Sequence, residues 1–204
     1  MQWPPPRELT LIGEAVTLRP AVADRDGTQL FAALDDERVW RHLNGRPGGG
    51  DGWADTLRER EARGWLSWIV RLRVATFGLA AGTVIGTSSY LEVEPGDARL
   101  EIGATAYTPD AWGSIVNPET KLLLLQYAFE VLGAGRVQLK TDIRNKRSAQ
   151  AIARLGATFE GTLRRYQRRS DGSVRDTLVF SIIAEQWPQV RAGLHARLAE
   201  NGSS

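Results

Sequence analysis

The first regular pattern in the chain is an alternation. Between residues 15 and 19, Val16 and Leu18 share one face and Pro20 ends the run, which predicts a strand. Residues 24–34 switch to helical spacing through Leu30, Phe31 and Leu34, with Asp24 or Asp26 available as the cap. The glycine-rich stretch at 46–52 is read as a flexible loop. No apolar strand leads into it, so it is not a phosphate loop. Residues 53–63 predict a surface helix. Three strands are expected next, at 65–73, 83–92 and 99–107, with turn residues at 77–82 and 94–97, which together make an antiparallel meander. The rest alternates: a helix from Asn117 to Leu132, a strand at 137–141, a helix ending at Leu155-Gly156, and two strands within 158–183. Val190, Leu194 and Leu198 then stand four apart in a last amphipathic helix at about 186–199. The pattern predicts an α+β fold, a mixed sheet with helices, as one domain over residues 1–204 with its core at about 13–183.

Composition narrows the chemistry. With 204 residues, 42% of them hydrophobic, the chain can bury one sizeable core. No apolar run approaches the roughly 20 residues that span a bilayer. The first six residues have no basic region followed by an apolar stretch, so no signal peptide is expected and no membrane partner. There is no cysteine. Disulfides, thiolate metal sites and a cysteine nucleophile are excluded, and a cytoplasmic location is allowed. His42 and His195 are the only histidines, too few to suggest a metal site. Charge is uneven: residues 1–120 carry a net −5 and residues 121–204 a net +7. A basic half suits an anionic partner, and equally an ordinary arginine-rich surface. Arg164, Arg165, Arg168 and Arg169 fit a nucleic-acid surface by charge, but no aromatic stacking pattern accompanies them, so nucleic acid is not the expected partner.

The chemistry concentrates between Leu100 and Gly161. A strand through Glu101 and Tyr107 runs by a short loop into a helix start. There Asn117 suits the N-cap, Pro118 the first turn, and Glu119 the positive end of the helix dipole. Helix N-termini expose unpaired N–H groups and so attract anions, though many strand–loop–helix units bind nothing. A second unit follows: strand, Asn145-Lys146-Arg147-Ser148, helix, Leu-Gly-Ala-Thr-Phe.

The order and spacing of Trp112-Gly113, Val116-Asn117, Glu119, Lys121, Asn145 to Ser148 and residues 155–161 resemble the GNAT superfamily of N-acetyltransferases. Within it, they resemble the group of the ribosomal-protein alanine acetyltransferases RimJ and RimL. The resemblance covers residues 13–183. It implies a twisted, mostly antiparallel mixed sheet that splays after its fourth strand and is flanked by helices. It implies acetyl-CoA as donor, with the pantetheine arm lying in the split like an added strand. Ala104, Thr105, Ala106 and Tyr107 would face the pantetheine and thioester. The backbone of Gly113, Ser114, Ile115, Val116 and Asn117 would hold the pyrophosphate. Lys121, Arg144 and Arg147 would meet the adenosine phosphates, and Asn145 would position the arm. Ile115 stands where the superfamily loop usually has its second glycine, and Ile152 where many members carry an acidic tyrosine. Ser148 matches the serine that the narrower group places near the thioester.

Direct attack of an amine on a thioester needs a base for the amine, a proton for the leaving thiolate, and a donor for the carbonyl oxygen. Glu101 is the candidate base and Ser148 the donor to sulfur. A glutamate between Leu100 and Ile102 also fits a solvent-facing or arginine-paired role, and Ser148 also fits a plain helix cap. Trp40, His42, Tyr90 and Trp112, with Trp53 and Trp68, are candidates to line the amine pocket, although large aromatics commonly build cores. The acceptor is expected to be a protein N-terminal α-amine or a small amine. A catalytically silent acyl-CoA-binding protein of the same family, or a basic nucleic-acid-binding module, is the alternative. The exposed face of the last two strands is a candidate homodimer surface.

Overall fold

The computed structural model describes residues 1–202. All eight strands join one sheet in the order β1-β2-β3-β4-β5-β6-β8-β7. The N-terminal half is the expected meander, with one addition. β1 (Leu11–Ile12) pairs antiparallel with β2 (Val16–Pro20), which pairs with β3 (Leu66–Leu72), then β4 (Val84–Glu94), then β5 (Arg99–Tyr107). Two residues of β1 are too few to show a period, so the strand expected as fourth is the fifth.

Between β2 and β3 lie α1 (Ala23–Leu34), α2 (Glu37–Trp40) and α3 (Gly50–Ala62). Neither Asp24 nor Asp26 is the N-cap of α1; Val22 holds that position without a side-chain bond. Asp26 instead accepts from the Val22 N–H at 2.7 Å and from Arg19 Nη1 at 2.8 Å, while wholly buried. α3 is less of a surface helix than expected: Trp53, Ala54 and Leu57 are buried against α1 and the sheet. Gly27 is required where those helices cross, because a Cβ there would lie 2.4 Å from the Gly50 carbonyl oxygen.

α4 (Val116–Gln126) continues through a π-helical turn, Tyr127–Val131, and ends near Gly133. Val116, Leu124, Leu125 and Ala128 are fully buried, so this helix sits across the sheet as its apolar composition demands. β6 (Arg136–Asp142), α5 (Lys146–Ala153), β7 (Thr158–Arg168), β8 (Val174–Ile183) and α6 (Trp187–Gly202) follow. β8 inserts between β6 and β7, antiparallel to both. Arg169 at the β7 end is held by Asp142 at 2.6 and 2.9 Å, which removes it from the exposed arginine set.

Candidate active site

The sheet opens at β5. This strand runs parallel to β6 and pairs with it only at Arg99–Arg136, Leu100–Val137 and Glu101–Gln138. Beyond Glu101 the two facing edges diverge and carry no ladder. On its other edge β5 bulges. Thr87 pairs with Ala106 and Ser89 with Gly103, so Ser88 faces both Ala104 and Thr105. Ala104 takes a left-handed φ of 47°, which is uncommon for a residue with a Cβ and marks a local constraint.

A cavity of about 330 Å³ fills the opening. Along β5 it is lined by residues 102–107, which include Ala104, Thr105, Ala106 and Tyr107. The loop and helix start contribute Trp112, Gly113, Ser114, Asn117 and Lys121, and α5 contributes Asn145, Arg147, Ser148 and Ile152. Gly113 is left-handed at φ 75°, with open space where a Cβ would be. Ser114 Oγ accepts from the Val116 N–H at 3.2 Å and donates to the Ala111 carbonyl at 2.6 Å, fixing the entry into α4. The helix thus begins before Asn117, which lies in its first turn instead of at the N-cap. Neither Ile115 nor Val116 lines the cavity; Val116 is fully buried in the core. Only their backbone can serve a ligand. Arg144 does not line it either, but Arg147 does, its guanidinium stacked 3.7 Å from the centre of the Trp112 ring.

Two expected roles are corrected by burial. Glu119 does not merely face the helix dipole. It is 4% exposed and accepts from the N–H groups of Glu14, Ala15 and Val16 at 2.6, 2.9 and 2.8 Å, tying the β1–β2 turn to α4. Lys121 is not a surface cation for phosphate. It is 5% exposed, and its Nζ donates to Thr105 Oγ1 at 2.7 Å and to Ser88 Oγ at 3.2 Å. Burial with no carboxylate beside it pulls its ammonium down to about 7.

On α5, Asn145 is the N-cap and accepts from the Ser148 N–H at 3.0 Å. Ser148 is therefore two things at once: a first-turn residue and a lining residue of the cavity. Ile152 lines the same wall and packs into the core, so no tyrosine hydroxyl stands there.

A second cavity, of about 300 Å³, lies against the same bulge. Its lining includes Trp40, His42, Trp53, Arg60, Trp65 and Glu101. Glu101 is 5% exposed, and Lys140 Nζ reaches its Oε2 at 2.8 Å. Lys140 also meets Glu92 at 2.9 Å and the Tyr166 hydroxyl at 2.9 Å. Burial pushes the Glu101 carboxyl above the ordinary range, and the hydrogen bond from Lys140 pulls against it. The partner that sequence reasoning sought in an arginine is thus Lys140, six residues before Lys146 and without a motif to flag it.

The aromatic candidates divide. Trp112 lines the first cavity, Trp40 and Trp53 the second, and His42 both. Tyr90 and Trp68 line neither. Tyr90 is fully buried, its hydroxyl donating to the Leu124 carbonyl at 2.6 Å and its ring edge-on to Trp68 at 5.5 Å, so it is a core residue and not a substrate contact. Sequence reasoning misses Arg60 and Trp65. A signal for the first exists: Trp53, Leu57 and Arg60 stand at i, i+4 and i+7 on one helical face. Among the described residues no group of three or more potential ligands could hold a metal. No described helix is long and apolar enough to cross a membrane.

Comparison with known proteins agrees with this geometry. The model of the Acetyltransferase (GNAT) domain matches residues 15–158. The Uncharacterized N-acetyltransferase p20 of Bacillus licheniformis is 28% identical over 185 residues, covering 87% of this chain and 98% of that protein. A crystal structure from T. thermophilus, assigned as an acetyltransferase, is 36% identical with a TM-score of 0.82, covering 97% of this chain and 100% of that one. Mycobacterium smegmatis RimJ, solved in complex with CoA-disulfide, shares the fold at 21% identity and a TM-score of 0.74, over 89% of this chain and 88% of its own. The family match spans most of the chain, and the protein belongs to the GNAT acetyltransferases.

Proposed function

We propose that the chain, as a single domain, transfers the acetyl group of acetyl-CoA to a primary amine by direct attack within a ternary complex. The observation that carries this reading is that the two cavities share Gly103, Ala104 and Ala106, so a donor in one and an amine in the other would meet at the β5 bulge. The unpaired edge of β5 beyond Glu101 suits the amide groups of a pantetheine arm, which would add there as a strand does. The left-handed Gly113 and the backbone of the loop that enters α4 suit a pyrophosphate. The CoA-disulfide bound by RimJ is consistent with that assignment on a shared fold.

Acetyl-CoA supplies an activated acyl carbon whose C–S bond breaks as the C–N bond forms. The chain's own residues handle the protons and the charge. Glu101, buried in the second cavity, takes the amine proton directly or through water. Ser148, in the first cavity, donates a hydrogen bond to the departing sulfur, and the thiolate then takes its proton from water. Asn145 holds the start of α5 and with it Ser148. A backbone N–H near Ala104 or Thr105 polarises the carbonyl from the bulge. His42 and Trp40 border the amine, while Trp112 lies on the donor side.

Release of the CoA thiol on mixing the protein with acetyl-CoA and a panel of amines and peptide N-termini tests the reaction and separates a protein acceptor from a small one. Ser148→Ala and Glu101→Gln test the roles; wild-type turnover in both would refute them. A homodimer through the last strands belongs to the same proposal. β7 is an edge strand with Phe159 54% and Leu163 41% exposed. A monomer by light scattering at working concentration would remove that part.

A further inference from the structure

Arg60 occupies a position where the helical pattern asks for an apolar side chain. It follows Trp53 and Leu57 along the buried stripe of α3 and lines the second cavity. Its guanidinium stands 5.7 Å from the Trp53 ring centre and 5.9 Å from that of Trp65. Nη1 is buried without a hydrogen-bond partner among the described residues. The two carboxylates of the same cavity, Glu92 and Glu101, are both engaged by Lys140.

A desolvated cation without a counter-ion is costly, and a guanidinium cannot escape by losing its proton at neutral pH. Two indole faces offset part of that cost, but they accept no strong hydrogen bond in the guanidinium plane. The planar fork of donors fits a carboxylate. We propose that Arg60 is the carboxylate-binding residue of the acceptor cavity, so that the acceptor is an amine bearing a carboxylate. This rests on the transferase reading above and adds the acceptor's class. Burial alone draws the Arg60 pKa down to about 10, as befits a cation with no anion beside it.

The carboxylate could come from a free amino acid or from an acidic side chain next to a peptide N-terminus. Three probe sets separate these: L-amino acids, their carboxamides, and dipeptide amides with Asp in second position. The expected result is that acids exceed matched carboxamides by about ten- to a hundredfold in kcat/KM, through KM. Preference for free acids over Asp dipeptide amides assigns the first source, and the reverse the second. Arg60→Gln should abolish the preference and Arg60→Lys should keep part of it, both leaving the KM for acetyl-CoA unchanged. Equal use of carboxylated and uncharged amines, or a preference that survives in Arg60→Gln, overturns the proposal.

Calorimetric titration with N-acetyl amino acids and their amides, with and without CoA, decides the same question without turnover. Tighter binding of the acids by wild type, lost in Arg60→Gln, supports it; equal binding overturns it. Absence of acetyl transfer to every probe, with acid-selective binding intact, would sink the transferase reading and leave the carboxylate site standing.

Discussion

Lys121 in the first cavity and Arg60 in the second are both desolvated basic side chains with no carboxylate beside them, and they meet burial in opposite ways. Lys121, in the first cavity, gives its Nζ to the hydroxyls of Thr105 and Ser88 and has its pKa pulled down to about 7. It can shed its proton and stay as a neutral amine. Arg60, in the second, keeps its charge between two indoles. The lysine site is thus complete without an anion, and the arginine site is not. That contrast matches the proposed division of labour between the cavities. At the bulge the first offers the unpaired edge of β5 and the hydroxyls of Thr105 and Ser148, which would suit a neutral pantetheine arm in the proposed reaction. The second is built from side chains, which is where discrimination among amines has to come from.

Exchanging the two solutions should produce the largest effect. Lys121→Arg would fix a charge where the native group can neutralise. It should cost about 3–5 kcal/mol of stability at pH 8, whereas Arg60→Lys should cost under about 1 kcal/mol. Chemical denaturation measures both. The native chain should show the same physics as a pH slope. Lys121 is lowered from 10.5 to about 7, so between those values the unfolded chain holds a proton that the native one has released. Stability should therefore rise as pH climbs from about 7 towards 10.5 and stay flat below 7. Lys121→Met should remove that rise.

Glu119→Ala comes next, at about 3 kcal/mol, because it strands the buried N–H donors of Ala15 and Val16 and the part-buried one of Glu14. It frees the N-terminal strands from the helix that opens beside the first cavity. Acetyl-CoA affinity should fall with stability in this variant, by differential scanning calorimetry and titration, while Arg60 variants leave it unchanged. Glu101→Gln sharpens the comparison from the other side. It should lower kcat about a hundredfold with the KM for acetyl-CoA intact. Because its pKa is raised by burial, wild-type activity should fall as pH drops towards that raised value, and Glu101→Gln should lose the acid limb.

The same division explains what is legible in the sequence. Elements with a period of their own are readable: β5 is observed at Arg99–Tyr107, where alternation places it, and Asn145 caps α5. The first cavity is readable too, since its parts lie within one continuous stretch from Ile102 to Leu155, except for Arg38, Val39, His42 and Leu43 of the α2 region and the lining residues Arg175 and Arg197. Short or irregular pieces are not, such as β1 and α2, which are under two helical or strand repeats long. The side-chain roles of Glu119 and Lys121 escape a sequence reading because their partners, at residues 14–16 and at Ser88, are brought near only by the fold. The second cavity collects residues from 40 to 175, so neither Lys140 nor Arg60 can be assigned to it by spacing.

The smallest effect is expected at Arg147, and it bears on where cofactor affinity comes from. Arg147 is exposed on α5, stacks on Trp112 and lines the first cavity. Stacking fixes the guanidinium plane before any ligand arrives, so little side-chain entropy remains to be lost. An exposed cation is nevertheless screened by salt and makes a modest contribution. Arg147→Ala should therefore weaken acetyl-CoA binding by only about three- to tenfold at low salt, with the difference shrinking as ionic strength rises. Arg147→Lys, which keeps the charge and loses the planar stack, should fall between the two. If Arg147→Ala costs a hundredfold, the phosphates rest on this side chain and not on the backbone of the Gly113 loop. If it costs nothing, the backbone loop alone holds them, and the first cavity depends even less on side chains than its contrast with the second already implies.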